Sequence, residues 1–371
     1  MVQQDISAYG LCRPAVDVLQ GALWREERAD GWARPERFSE NQLHALGSCL
    51  AWHPGLYRQM ARCTSGVSLS FTTDSTVIAL ELWVEKLPQG TQAVLRQVPE
   101  GIHDSVAVEI DGRQAMLLPI SLGSPEGTAQ LPLGTPTCIH VDLTNPNDAK
   151  RELRLPGFGE IHHMRIWLPC LTSAAVRMLY GNGSFFSPAQ PQGQLVVIGD
   201  SIAQGFVTGS PAKTWPAQLA KKCKLGLINQ SVGGQVFQPE TVEAPTTPEP
   251  VQLVIVALGG NYRFEKTDRD RVKREISRTL HEIRHAYGDA RIVALTPTPH
   301  FEVTYQTHPL SCFEDMPGFI AEAAASERID VIEGTNLLKA DPKLFADDDH
   351  PNVRGAAHIA ACLAENFKKS V

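Results

Sequence analysis

Four short stretches of this 371-residue chain carry side chains whose types could do nucleophilic chemistry together. The first is Gly199-Asp200-Ser201, where a serine just after an apolar run would open a helix with its hydroxyl exposed and its own amide free to donate. Asp and Ser also cap helices in that position, so the triplet alone is ambiguous. The second is Gly233-Gly234, which either makes only a tight turn or lets a backbone amide approach a ligand. The third is Gly259-Gly260-Asn261, whose Asn is either a turn residue or an amide donor facing a ligand. The fourth is Asp347-Asp348-Asp349-His350. Consecutive aspartates usually mark a solvated loop. A carboxylate three residues before a His can nevertheless turn back onto Nδ1 and leave Nε2 free to take a proton from a serine. A metal held by Asp347, Asp349 and His350 is the other reading, against which no second His or Glu cluster lies nearby in sequence.

The elements that must position these residues follow from periodicity. Continuous apolar runs at Leu195–Ile198, Leu225–Ile228, Leu253–Leu258, Arg291–Leu295 and Ile329–Ile332 read as strands buried on both faces. Between the third and fourth runs, Val272, Ile276, Leu280, Ile283 and Tyr287 recur at helical steps, with Thr267 and Asp270 near the start and Gly288 as a stop. Residues 354–369 form a second amphipathic helix. Strand and helix alternating over this length predict an α/β fold with a doubly wound parallel five-stranded sheet. In such sheets, ligands sit beyond the carboxyl ends of the strands, where the first three stretches fall.

The first half differs. Val67, Leu69 and Phe71 alternate with Ser68, Ser70 and Thr72; residues 76–84 continue apolar; and Val106, Val108 and Ile110 alternate before a hairpin-type Asp111-Gly112. Further runs at Ile139–Leu143, Leu153–Leu155, Met164–Leu168 and Ala175–Leu179, with almost no helical period, predict an antiparallel β-sandwich. The Gly/Pro/Ser-rich residues 181–194 read as a linker. The expected domains are therefore 1–190 and 191–371.

Composition narrows the partners. A net charge of −7 with no basic run argues against nucleic acid, and no stretch of about 18 apolar residues is present to span a bilayer. Met1 to Val18 lacks the basic start and apolar run of a signal peptide, and the 8 cysteines form no CxxC pair. Reduced thiols in a cytoplasm are the expected setting.

In the order Ser, Gly, Asn and Asp–His, the four stretches resemble the blocks of the SGNH hydrolases, also called GDSL esterases. Pro351-Asn352 and Gly355 resemble that family's HPN…G continuation, and the likeness runs from about Leu195 to Val371. Many members carry Asp after the third-block Asn, where this chain has Tyr262. The first half is similar to the sandwich that precedes some bacterial SGNH domains: Gly101-Ile102-His103-Asp104-Ser105-Val106 partly matches a GxDLY-like motif. Family 2 carbohydrate esterases likewise join a jelly roll to an SGNH domain, which makes the expected fold a flavodoxin-like sheet behind a jelly-roll-like sandwich.

The resemblance implies a Ser201–His350–Asp347 triad, with the Ser201 and Gly234 amides and the Asn261 side chain holding the oxyanion. It also implies no metal or organic cofactor and a small-molecule ester substrate, in our reading an acetylated carbohydrate. Tyr262, His300 and Phe301 are the candidate substrate-binding residues, the last two because the loop after the fourth strand should border the pocket. The alternatives are a thioesterase or lysophospholipase, an acyltransferase using the same acyl-enzyme, and a carbohydrate-binding protein without activity.

Overall fold

The computed structural model describes residues 9–48, 51–85, 103–120, 131–144, 160–264, 267–301 and 311–368. Its second half is built on five strands, β1 (Gln194–Gly199), β2 (Gly226–Ser231), β3 (Val251–Ala257), β4 (Arg291–Leu295) and β5 (Asp330–Ile332). They pair in the order β2-β1-β3-β4-β5, parallel throughout. The order reverses at β1, so the ends of β1, β2 and β3 flank the crevice where open α/β sheets bind ligands. Helices α1 (Ser201–Gln204), α2 (Trp215–Cys223), α3 (Arg269–Ala286), α4 (Met316–Ser326) and α5 (Val353–Lys368) follow the strands. Helix α3 buries Val272, Ile276, Leu280 and Ile283, the stripe expected from its spacing, and Asp268 caps it.

Two six-stranded antiparallel sheets form the first half. One centres on Val77–Val84 and Ala174–Gly181, the other on Ser68–Thr73, His162–Trp167 and Ser105–Ile110. Asp111 and Gly112 both have positive φ, the turn that matches a hairpin's twist. Period-2 alternation is visible here with both faces buried. Val106, Val108 and Ile166 point into the sandwich, while Ala107 and Trp167 join the core of the α/β half. On that second face the buried Glu109 accepts from Trp167 Nε1 at 2.8 Å and pairs with Lys221 of α2. The sandwich thus lies directly against the parallel sheet's helices.

Two expectations need correction. Residues 181–194 are not simply a linker: Phe186–Pro188 pairs with Ser68–Thr73, because Phe186 buries its ring edge-on to Phe71 at 5.3 Å. The first half also contains two helices, Glu40–Leu46 and Pro54–Ala61, where almost no helical period was expected. Both are short, and the first begins with a reciprocal capping box between Ser39 and Gln42. They pack across the α/β half through a core that includes Phe38, Leu46, Tyr57, Met60, Phe206 and Val232. The run Leu153–Leu155 and the residues Gly101-Ile102 lie outside the described residues.

Among the described residues, no helix is long and apolar enough to cross a membrane. Cys12, Cys63, Cys138, Cys170, Cys223 and Cys362 are free thiols.

Candidate active site

The ambiguity at the end of β1 resolves by division of labour. Asp200 is the cap, its Oδ1 accepting from the Ile202 amide at 3.0 Å, and Ser201 takes the first helical position. An amide there has no place in the helical ladder, so it remains available to a ligand. Burial pushes the Asp200 carboxyl up to about 6, with the Ile202 amide and the His350 charge opposing that rise.

Ser201 Oγ lies 2.8 Å from His350 Nε2. On the other side of the ring, Nδ1 lies 2.8 Å from Asp347 Oδ2. Asp347 does a second job: its Oδ1 accepts from the amides of Asp349 at 3.0 Å and His350 at 2.7 Å, folding the aspartate run into a tight turn. Asn352 closes the turn from behind, with its Oδ1 on the Arg354 and Gly355 amides at the start of α5. Phe206 stacks on the imidazole at 5.6 Å, which fixes the ring plane. Burial lowers the affinity of His350 for a proton, but the carboxylates of Asp347 and Asp349 outweigh it and raise the imidazole above its ordinary value, which favours the imidazolium once the serine proton has moved. This arrangement can draw a proton from the serine and stabilise the resulting imidazolium.

Two of the expected oxyanion donors, Gly234 and Asn261, follow the ends of β2 and β3. The Gly233 amide is already committed to Gln204 Oε1 at 2.7 Å, which leaves the Gly234 amide as the one available to a ligand. Gly234 has φ +81, a conformation that calls for glycine, and a Cβ there would crowd the Leu56 side chain at 3.2 Å. The Asn261 amide nitrogen, at the end of β3, lies 3.0 Å from Gln235 O and 3.3 Å from Asp200 Oδ2. The longer contact is the one an incoming oxyanion can replace.

Sequence reasoning missed the contribution of the first half to this site. Tyr57 donates its hydroxyl to Gly234 O at 2.7 Å, so the peptide groups on both sides of the Gly234 amide are pinned, by Gln204 and by Tyr57. Tyr57→Phe is expected to lower kcat between about two- and tenfold, the rate equivalent of one ordinary hydrogen bond. The check is kcat on p-nitrophenyl acetate together with the melting temperature; a wild-type kcat would reduce the contact to packing.

The three candidate substrate-binding residues fare differently. Tyr262 is 1% exposed and lies edge-on to Trp52 at 5.1 Å and stacked on Phe237 at 6.5 Å, so it is a core residue and not a pocket wall. Phe301 is a prop: its amide donates to Asp348 O at 2.8 Å and its ring lies edge-on to Phe345 at 5.0 Å, steadying the histidine turn. The His300 ring packs against Phe313 at 5.2 Å. The loop after β4 contributes Thr296, Pro297 and Thr298 to a cavity lined also by Asp200, Ile202 and Trp215, and neither His300 nor Phe301 lines it.

A further group completes the site. Arg263, 3% exposed, forms an ion pair with Asp349 Oδ2, while Asp349 Oδ1 lies 2.9 Å from His350 Nδ1. Burial would raise the Asp349 carboxyl, but the bonds and charges of His350 and Arg263 hold it well below the usual carboxylate range. The ligating atoms of Asp347, Asp349 and His350 lie within 4.8 Å of one another. Arg263 already supplies the cation this cluster needs, so its chemistry is that of an ion-pair network.

A doubly wound sheet with Ser, Gly and Asn after its first three strands, and an Asp–His turn before the last helix, is the arrangement of the SGNH class of ester hydrolases. Residues 197–358 match the GDSL-like lipase/acylhydrolase family, and the C-terminal part of the chain is a domain of that family. Solved structures share the whole architecture at low identity. The salicylyl-acyltransferase SsfX3 from a tetracycline biosynthetic pathway superposes with a TM-score of 0.72 at 18% identity, covering 98% of this chain and 97% of its own. A family two carbohydrate esterase from Cellvibrio japonicus gives 0.61 at 14%, with 97% of each chain covered. The acetyl xylan esterase Est2A from the rumen bacterium Butyrivibrio proteoclasticus gives 0.55 at 14%, covering 82% of this chain and 90% of its own. A comparison with curated protein sequences finds no match.

Proposed function

We propose that this protein is a serine esterase that removes a small acyl group, acetyl in our reading, from a carbohydrate ester. The observation that carries the proposal is the continuous relay from Ser201 Oγ through His350 to Asp347, with both links at 2.8 Å. In this mechanism Ser201 attacks the ester carbonyl as His350 Nε2 takes its proton. The tetrahedral oxyanion accepts from the Ser201 and Gly234 amides and from Asn261 Nδ2. His350 then returns the proton to the departing alcohol, and water repeats the sequence on the acyl-enzyme. Asp347 holds the imidazole so that Nδ1 carries the proton and Nε2 is free.

The carbohydrate assignment draws on the two-part architecture shared with the family two carbohydrate esterases and the acetyl xylan esterase. Acyl transfer to an alcohol is the second reading, favoured by the match over the full chain to the salicylyl-acyltransferase. One experiment separates the possibilities: a chain-length series of p-nitrophenyl esters beside acetylated xylo- and manno-oligosaccharides, each with and without an added acceptor alcohol. The expected result is preference for C2 to C4 acyl groups and release of acetate from the oligosaccharides. Preference for C8 or longer chains would rule out the acetylesterase reading, and ester product growing at the expense of free acid would identify a transferase.

A further inference from the structure

Most of the polar groups around His350 are accounted for by the triad reading; Asp349 and Arg263 are not. An ion pair under a loop would explain Asp349 Oδ2 on Arg263. It does not explain why the other oxygen of the same carboxylate is turned onto the catalytic ring, 2.9 Å from Nδ1 and almost as near as Asp347 Oδ2 at 2.8 Å. Nδ1 therefore has two carboxylates within 3 Å, that of Asp347 in hydrogen-bond geometry and that of Asp349 as an ion-pair contact. The histidine is also enclosed by Ser201 and Asp200 from the β1 turn, by Phe206, and by Arg263 from the turn after β3. Arg263 lies beside Gly260, 3.8 Å from where a Cβ on that glycine would stand, with Asp200 Oδ2 at 3.4 Å from the same point. The guanidinium thus sits between the carboxylate of the nucleophile turn and that of the histidine turn.

We propose that Asp349, aimed by Arg263, is a second carboxylate acceptor for the Nδ1 proton of His350, so that the base is oriented by two aspartates and not by Asp347 alone. Asp349 is a positioning residue: it touches neither substrate nor serine and acts through the ring. The imidazolium formed when Ser201 attacks then stands between two anions, one of them neutralised from behind by Arg263. Two consequences follow. Either aspartate alone keeps the ring in the tautomer with Nε2 free. Arg263 limits how strongly Asp349 favours the imidazolium, because a guanidinium withdraws part of that carboxylate's charge.

The inference rests on His350 serving Ser201 as base. The test is the pH dependence of kcat/KM on p-nitrophenyl acetate, whose acid limb reports the free-enzyme imidazole. Only the neutral ring accepts the serine proton, so anything that stabilises the imidazolium moves that limb to higher pH. Asp349→Asn removes an anion and is expected to move the limb down by about one unit. Arg263→Gln frees the Asp349 charge and is expected to move it up. Asp347→Asn is expected to cost between about ten- and a hundredfold in kcat, whereas Asp347→Asn with Asp349→Asn together should approach the roughly 10⁴-fold loss of a serine hydrolase deprived of its only orienting carboxylate. A limb midpoint does not depend on how much of a preparation is folded, so partial unfolding of either variant leaves the result readable. The same midpoints can be read without turnover by NMR titration of the His350 ring in a Ser201→Ala background.

An unmoved limb in Asp349→Asn, or shifts of the same sign in both single variants, would overturn the inference. So would an Asp347→Asn variant already as slow as the double one. Hydrolysis that survives Ser201→Ala would instead overturn the esterase reading on which the inference stands.

Discussion

Ser201→Ala is expected to abolish ester hydrolysis, with kcat on p-nitrophenyl acetate falling by a factor on the order of 10⁴ or more, while the protein stays folded. The magnitude follows from what is lost. Without Oγ there is no acyl-enzyme, and His350 Nε2 has no proton to take; the amides of Ser201 and Gly234 and the Asn261 side chain remain but have no adduct to stabilise. The structural cost is small, because Ser201 is only partly buried and the helix is capped by Asp200, not by the serine. Alanine also suits a first helical position, so stability should stay within about 0.5 kcal/mol. The measurement pairs initial rates, corrected for spontaneous hydrolysis of the ester, with calorimetric melting. A fluorophosphonate probe should label the wild type on the peptide containing Ser201 and leave the variant unlabelled. Retained turnover in a folded variant would sink the assignment of the nucleophile.

The distribution of what could be read from the sequence has a physical pattern. β1 to β5 were visible because a strand buried on both faces must be apolar throughout, and α3 because its stripe runs unbroken from Val272 to Ile283. The contact between Asp347 and His350 was legible because it is local: Asp347 reaches His350 across three residues. Asp349 was not distinguished from its neighbours, since three aspartates in a row look alike until a turn aims one at Arg263 and exposes another. Tyr262 was misplaced for a similar reason. Its neighbour Asn261 faces the site, but the next side chain in a tight helical turn points the other way, into Trp52 and Phe237. The helices at Glu40–Leu46 and Pro54–Ala61 are too short to show periodicity, although the Ser39–Gln42 capping box and Pro54 at a first turn were signals available to be read. Their function is non-local and left no trace in spacing: Tyr57 meets Gly234 across 177 residues.

Arg37→Met is expected to be the most destabilising single substitution on the non-catalytic side of the molecule. Arg37 is fully buried, yet its hydrogen-bond partners are backbone carbonyls: Cys63, Met60 and Ala61 near the end of the Pro54–Ala61 helix, and Asn229 and Ser231 on β2. The reason lies in topology. β2 is the edge of the parallel sheet, so the carbonyls of alternate residues Asn229 and Ser231 point away from β1 with no strand to receive them. The helix end presents its last carbonyls and the negative end of its dipole to the same spot. One planar guanidinium satisfies both sets. Burial lowers its pKa to about 10, offset in part by the nearby Cys63 and Cys170, so the group remains charged at neutral pH.

Methionine fills much of the volume but donates nothing, which leaves several dehydrated carbonyls at about 1–3 kcal/mol for each unsatisfied group. A loss of about 3–5 kcal/mol is expected, read by calorimetry as a melting temperature lower by roughly 4–6 °C for a chain of this length. Arg37→Lys should recover only part of it, because a single ammonium cannot span two rows of carbonyls as the fork does. The loss should also reach the active site: Ser231 is three residues before Gly234, and loosening the end of β2 moves the oxyanion donor relative to Ser201. Melting within about 1 °C of wild type would show that water reaches these carbonyls, and the sheet edge would then need no arginine to close it.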